Sequence, residues 1–211
     1  MSEVAIIDYG MGNLRSVAKG FEHVGARATV TSSKEEILRA THLVLPGVGA
    51  FRACMDGVER LGITGVIREF IESGRPFLGI CLGLQLLFEE SEEGGLHRGL
   101  GIIKGRVKAF PVDMKDPVGA PLKVPHMGWN TIKIRKKESR LLKDIPDEAY
   151  FYFVHSYYVV PADKDCVLTT TDYGIEFTSS IEQDNIFGVQ FHPEKSQSVG
   201  LKLLENFSKL R

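Results

Sequence analysis

The sequence is poor in cysteine, with three residues at positions 54, 81 and 166. The number is odd, the spacings are long, and no Cys-x-x-Cys pair occurs. That argues against a disulfide framework and against zinc or redox chemistry on paired thiols, and it leaves at least one thiol free. Charge of one sign is also lacking. A formal net charge of -1 gives no reason to expect nucleic acid or an anionic membrane as partner. The one basic concentration, from Lys133 to Lys143, reads as a solvated hairpin or loop. No apolar run approaches the roughly 18 residues of a membrane span. Met1-Ser2-Glu3 leads into an apolar strand without a basic leader and cleavage site, so a cytoplasmic location is the default expectation.

The 211 residues, 43% hydrophobic and 25% charged, suit a single domain spanning 1–211 with a full core. In the first half, strand-like and helix-like segments alternate. Val4 to Ile7 runs into a glycine-rich loop at 8–13, and Leu14, Val17, Ala18, Phe21 and Val24 follow at helical spacing until Gly25. Ala28 to Thr31 and His42 to Leu45 read as strands. Between them Ser33 and Glu36 form a capping box for a helix reaching Ala40. A helix over Ile63 to Ser73 precedes the strand Phe77 to Ile80. The second half is rich in short strands: Ile102-Ile103, Thr131 to Ile134, Tyr150 to Val154, Val167 to Thr171 and Ile186 to Phe191. An amphipathic helix from Ser198 to Leu210 ends the pattern. The expected fold class is α/β, a mixed and largely parallel open sheet flanked by helices, with a strand-rich second half.

Gly79-Ile80-Cys81-Leu82-Gly83 lies where a buried strand meets a helix, because Leu84 to Phe88 continues at helical apolar spacing. This has the form of a nucleophile elbow, with cysteine in the serine position. A sharp strand-to-helix turn thrusts the central side chain out of the sheet, and glycines two residues away on each side let strand and helix cross closely. The helix N-terminus favours thiolate, and the Leu82 N–H points toward a developing oxyanion. Cys54 and Cys166 lack such a frame and read as core or surface residues.

A cysteine nucleophile needs a base, and the base needs an orienter. Of the six histidines, His23 and His42 fall beside apolar helix and strand positions, and His97 lies in a glycine-rich loop. His126 and His155 sit in loops without a nearby carboxylate. His192 ends the apolar strand from Ile186 and is followed by Pro193-Glu194. In an extended segment residues two apart face the same way, and a residue before proline is biased toward extended backbone, so Glu194 can hold the His192 ring. Strand ends on one edge of a parallel sheet converge, which lets this histidine meet Cys81.

Residues 79–85 together with His192-Pro193-Glu194 resemble the signature of class I glutamine amidotransferases. Residues 8–14, 46–49, 125–130 and 154–158 narrow the resemblance to glutaminase subunits that work with a (β/α)8-barrel cyclase in histidine biosynthesis. It implies the following roles. Cys81 attacks the glutamine amide carbon, His192 shuttles the proton, and Glu194 orients His192. The backbone amides of Val48 and Leu82 form the oxyanion hole. Gly49, Gln85, His155, Ser156 and Tyr157 line the glutamine site, and Trp129, Tyr152, Lys195 and Asn13 face the partner. The stretches 90–100 and 111–121 contribute nothing. No cofactor and no metal is implied.

A 211-residue amidase has no room for a synthase domain, so the cyclase is expected as a separate chain forming a heterodimer. The glutaminase of another pathway, such as anthranilate or pyridoxal phosphate synthesis, would share the elbow and His-Pro-Glu but not the four narrowing segments as a set. A catalytically silent binding module would have no physical reason to keep nucleophile, base and orienter.

Overall fold

The structure, a computed structural model, describes residues 2–116 and 118–211. The first strand, β1 (Glu3–Ile7), sets the architecture. Val4 and Ile6 enter one buried cluster while Ala5 and Ile7 enter another, so the strand is covered on both faces. Helix α1 (Leu14–His23) packs Val17, Ala18 and Phe21 on the first face. After β2 (Arg27–Thr31), α2 (Lys34–Arg39) begins at Ser33, whose Oγ accepts from the Glu36 N–H at 3.3 Å. Only this half of the capping box forms, because the Ser33 N–H donates instead to Thr31 Oγ1 at 2.9 Å.

The strand β3 (His42–Gly47) is followed by α3 (Phe51–Arg60) and α4 (Thr64–Glu72), which cover the second face. Next come β4 (Phe77–Cys81) and α5 (Leu82–Leu86). The helix after the elbow is shorter than the apolar spacing suggests, for Leu87 caps it and Phe88 opens β5 (Phe88–Ser91). The remaining strands are β6 (His97–Arg98), β7 (Ile103–Ala109), β8 (His126–Thr131), β9 (Lys133–Ile134), β10 (Tyr150–His155), β11 (Tyr157–Pro161), β12 (Val167–Asp172), β13 (Glu176–Gln183) and β14 (Ile186–Val189). Helix α6 (Gln197–Ser208) packs Leu203, Leu204 and Phe207 beside α1.

Among the described residues one sheet of twelve strands runs β2-β1-β3-β4-β14-β13-β11-β7-β5-β6, with β12 and β9 attached through β13, and β8 pairs separately with β10. Pairing is parallel from β2 through β14 and antiparallel from β14 through β13 and β11 to β7. This is the expected α/β class. In the parallel part Gly47 stands opposite Cys81 and Val189 opposite Ile80. The carboxyl ends of β3, β4 and β14 therefore meet at one edge, where open α/β sheets place their sites.

Some sequence expectations are corrected. Helix α3 and strands β11 and β13 were not foreseen. The expected strand at 131–134 breaks at Ile132 into β8 and β9. The strand leading to His192 stops at Val189, and His126 and His155 lie in strands rather than loops. The basic stretch is solvated as expected, with Arg135 donating to Glu176 at 2.7 Å and Lys136 to the Glu182 carbonyl at 2.9 Å.

Candidate active site

Cys81 closes β4 with φ 54° and ψ −109°, a left-handed pose that costs a non-glycine residue on the order of 1–3 kcal/mol. The glycines around it make the turn possible. A Cβ on Gly79 would lie 2.7 Å from the Gly83 carbonyl carbon, and one on Gly83 would overlap the Leu45 carbonyl oxygen. With five residues, α5 brings only part of a full helix's positive end to the sulfur, less than the sequence suggests. Leu82 is its first residue, and its N–H is one a helix leaves unpaired. The thiol is buried, 3.7 Å from Gln190 Nε2 and 4.0 Å from the Val154 carbonyl.

His192 lines the same cavity as the elbow, its side chain 2% exposed, and donates from Nδ1 to Glu194 Oε1 at 2.8 Å. The pairing is as expected but its backbone is not. His192 is extended, as a residue before proline should be, while Pro193–Lys195 form a 3-10 turn that folds the carboxylate back onto the ring. The His192 N–H donates to Tyr152 O at 2.9 Å, and Ser196 Oγ donates to the His192 carbonyl at 2.7 Å, so the main chain is held on both sides. Burial alone pulls the imidazole pKa down. The Cys81 sulfur and the Glu194 carboxylate outweigh it and push the value up to about 10. Nε2 itself is buried with no oxygen or nitrogen partner, and the Cys81 sulfur raises the ring's pKa first by hydrogen-bonding contact and then by its charge.

A cavity of about 280 Å³ joins these groups. Val48, Gly49, Cys81, Leu82, Gln85 and His192 line it together with His155, Ser156, Tyr157 and Lys195. The elbow, base, loop and glutamine-site residues singled out in the sequence thus converge on one space, just under the roughly 300 Å³ lower end of small-molecule sites. The loop from Pro46 is braced from behind: Tyr9 Oη donates to Pro46 O at 2.8 Å, and Cys54 Sγ to Val48 O at 3.4 Å. Trp129 and Tyr152 are cross-strand neighbours with ring centroids 6.1 Å apart, and Lys195 Nζ lies 5.8 Å from the Tyr152 ring. Asn13 stands apart at the start of α1, without a side-chain capping bond.

Sequence reasoning missed two residues. Gln190 is fully buried and touches the Cys81 sulfur. Glu93, from a stretch that seemed uninformative, lines the cavity and accepts from the Phe51 N–H at 2.8 Å, capping α3 from 42 residues away.

His126 and His155 are buried partners across β8 and β10, with Nδ1 of the first 3.0 Å from Nε2 of the second. Burial lowers His126 to about 4; burial, then the neighbouring His126, lowers His155 to about 3. Below the unfolded value near 6.5 the unfolded chain takes up protons that the folded chain refuses, so stability is complete above that pH and drains as pH falls toward 4. The slope is about 1.4 kcal/mol per pH unit for each such group. His126→Phe keeps the stacking on Phe153 and Tyr173. Urea unfolding at pH 7 and 5.5 is expected to show a shallower pH dependence in this variant, by about 0.6 of a proton on average over that interval.

The fold and this cavity define a class: an α/β protein with a cysteine, a histidine and a carboxylate gathered at the carboxyl edge of its sheet. Comparison makes the assignment particular. Residues 5–210 match the family model of glutamine amidotransferase class-I. The imidazole glycerol phosphate synthase subunit HisH of Syntrophotalea carbinolica is 57% identical over 204 residues, covering 97% of this chain and 98% of that one. HisH of Aquifex aeolicus is 56% identical, covering 97% and 95%. Among solved structures, a glutamine amidotransferase superposes with a TM-score of 0.73 at 17% identity over 98% of this chain and 99% of its own. The glutaminase domain of Trypanosoma brucei CTPS with bound acivicin gives 0.66 at 20% over 100% and 95%. The chain belongs to the class-I glutamine amidotransferase family. No helix among the described residues is long and apolar enough to cross a membrane.

Proposed function

We propose that this chain, as one amidotransferase domain over 1–211 in the cytoplasm, hydrolyses glutamine through a thioester on Cys81 and passes the ammonia to a (β/α)8-barrel cyclase. The observation that carries the reading is the buried His192–Glu194 pair, with His192 Nε2 left free beside a cysteine held in a strained elbow. Cys81 Sγ attacks the amide carbon, and the carbonyl oxygen becomes an oxyanion held by the amides of Leu82 and Val48. His192 gives the thiol's proton to the leaving nitrogen, which departs as ammonia. Water, deprotonated by His192, then attacks the thioester, and glutamate leaves as the sulfur is restored. Glu194 keeps the ring in one tautomer.

Gln85 uses both amide hydrogens within the protein, on Tyr157 O and Gln190 Oε1, each at 3.0 Å. Its buried Oε1 has no protein partner. That oxygen and the Glu93 carboxylate suit the α-ammonium of glutamine. His155 has both ring nitrogens engaged, by Tyr157 O and His126, so it shapes the site rather than offering a ring N–H. Trp129, Tyr152 and Lys195 cluster on an accessible face and suit a protein partner; Asn13 is assigned to that contact by resemblance alone.

Free ammonia is protonated near neutral pH and ammonium is no nucleophile, so ammonia made for synthesis must be handed over under cover. Subunit HisH of imidazole glycerol phosphate synthase, the name the relatives carry, supports a cyclase as recipient. The cyclase would join the ammonia to a phosphoribulosyl-formimino ribonucleotide, giving imidazole glycerol phosphate and aminoimidazole carboxamide ribotide. Glutamate release is expected to be slow from the isolated chain and faster with the cyclase and its nucleotide. Equal rates would refute coupling. A glutamine-like chloroketone or diazo compound is expected to label Cys81, whereas absence of an adduct would point to a binding module.

A further inference from the structure

A single line of hydrogen bonds runs from β8 to the sulfur of Cys81, and its direction can be worked out from its ends. At the outer end, Asn130 Oδ1 accepts from the Thr131 N–H at 2.8 Å, and Nδ2 donates to the Asp172 carbonyl at 2.8 Å. Both partners are main-chain groups of fixed polarity, so the amide cannot be turned over. The same Nδ2 meets His126 Nε2 at 3.2 Å, which must then accept. His126 therefore carries its hydrogen on Nδ1 and donates to His155 Nε2 at 3.0 Å; His155 in turn donates from Nδ1 to Tyr157 O at 2.8 Å. From the inner side Gln85 Nε2 donates to that same carbonyl at 3.0 Å, so its nitrogen is fixed as well. The atom of Gln190 facing Gln85 Nε2 at 3.0 Å must accept and is its Oε1. That leaves the Gln190 NH₂ group turned onto Cys81 Sγ at 3.7 Å. Every donor along the line finds an acceptor, and only if both histidines are neutral; burial holds them so.

We propose that Gln190 acts directly on the nucleophile, as the N–H donor that steadies the Cys81 sulfur as a thiolate, that Gln85, oriented by the Tyr157 carbonyl, fixes which end of Gln190 faces it, and that His155, His126 and Asn130 are positioning residues that hold that carbonyl in place. This rests on the reading of Cys81 as the nucleophile. A purely structural network would satisfy buried polar groups and nothing more. Here the line ends with its donor on the one atom that must carry negative charge, both before attack and when the thioester breaks. Hydrogen bonds to charged groups are the strong ones.

The test compares the full chain with Gln190→Met, Gln190→Glu and His126→Phe, alone and with the cyclase partner. Three quantities are read: the rate at which iodoacetamide alkylates Cys81, located by peptide mass to separate it from Cys54 and Cys166; kcat and KM for glutamate release; and the melting midpoint. Gln190→Met loses the donor and is expected to slow alkylation and kcat by roughly 10- to 100-fold, with KM changed less than about threefold. Gln190→Glu keeps the bond from Gln85 but turns an oxygen onto the sulfur, so its loss is expected to be larger. His126→Phe, four links from Gln190, is expected to slow both by about threefold. Alkylation and kcat within about twofold of the unaltered chain in folded Gln190 variants would overturn the proposal. Should both fail to fold, His126→Phe decides: slowed alkylation at an unchanged melting midpoint supports it, and an unchanged rate overturns it. If the unaltered chain releases no glutamate even with the cyclase, the parent reading fails, and the alkylation rates still decide the role of Gln190.

Discussion

Cys81→Ala is expected to lower glutamate release by at least about 10⁴-fold, with or without the cyclase, because removing the nucleophile of a covalent mechanism leaves only the oxyanion site and binding to act. The fold should tolerate the change. The sulfur's bonds to Val154 O and Gln190 Nε2 are long, 4.0 and 3.7 Å, its effect on His192 is on the ring's protonation, and alanine inherits the same strained backbone. The thermal midpoint is expected to stay within a few degrees, and the variant should still bind glutamine. Measuring glutamine binding by calorimetry alongside glutamate release separates chemistry from affinity. Residual turnover within about tenfold of the unaltered chain would remove Cys81 from the mechanism.

Gly83→Ala is the second large effect, and it acts through packing. The added methyl would overlap the Leu45 carbonyl oxygen in β3, a main-chain atom held inside the sheet. Neither strand nor helix can yield without displacing the Leu82 N–H and the Cys81 side chain together. Overpacking of this kind costs about 3 kcal/mol, a fall of roughly 6–12 °C in midpoint for a chain of this size. Glutamate release is expected to fall by about 10³-fold, since a displacement near 1 Å costs about 10²-fold and two groups move. Gly65→Ala is the control: nothing lies within 4 Å of its added carbon, and neutral or slightly raised stability is expected. An unchanged midpoint and rate in Gly83→Ala would mean that the elbow is not packed as tightly as drawn.

The elbow was legible because its demands are local. Glycines two residues either side of a cysteine, after an apolar strand, express a steric requirement along the chain itself. His192 and Glu194 were legible for the same reason, although a 3-10 turn rather than an extended segment joins them. Helix α3 was legible in principle, since Phe51, Cys54, Met55 and Val58 are buried at helical spacing. It lacks a start signal because Ala50 has no capping side chain, and Glu93 supplies the bond from 42 residues away. The run Leu84 to Phe88, apolar but for Gln85, misled because a short apolar run fits a buried helix and a buried strand equally. Gln190 and the His126–His155 pair could not be read at all. Each is defined by a neighbour across strands far apart in order, and no periodicity records which amide will face which sulfur.

The left-handed backbone at Cys81 also restricts which nucleophile this site can host. A branched Cβ is strongly disfavoured at positive φ, so threonine, which serves other hydrolases, cannot occupy this position without unwinding the turn. Serine fits the backbone, but it would take from His192 the sulfur that contributes first to its raised pKa. The geometry of one peptide unit thus narrows the nucleophile to an unbranched side chain.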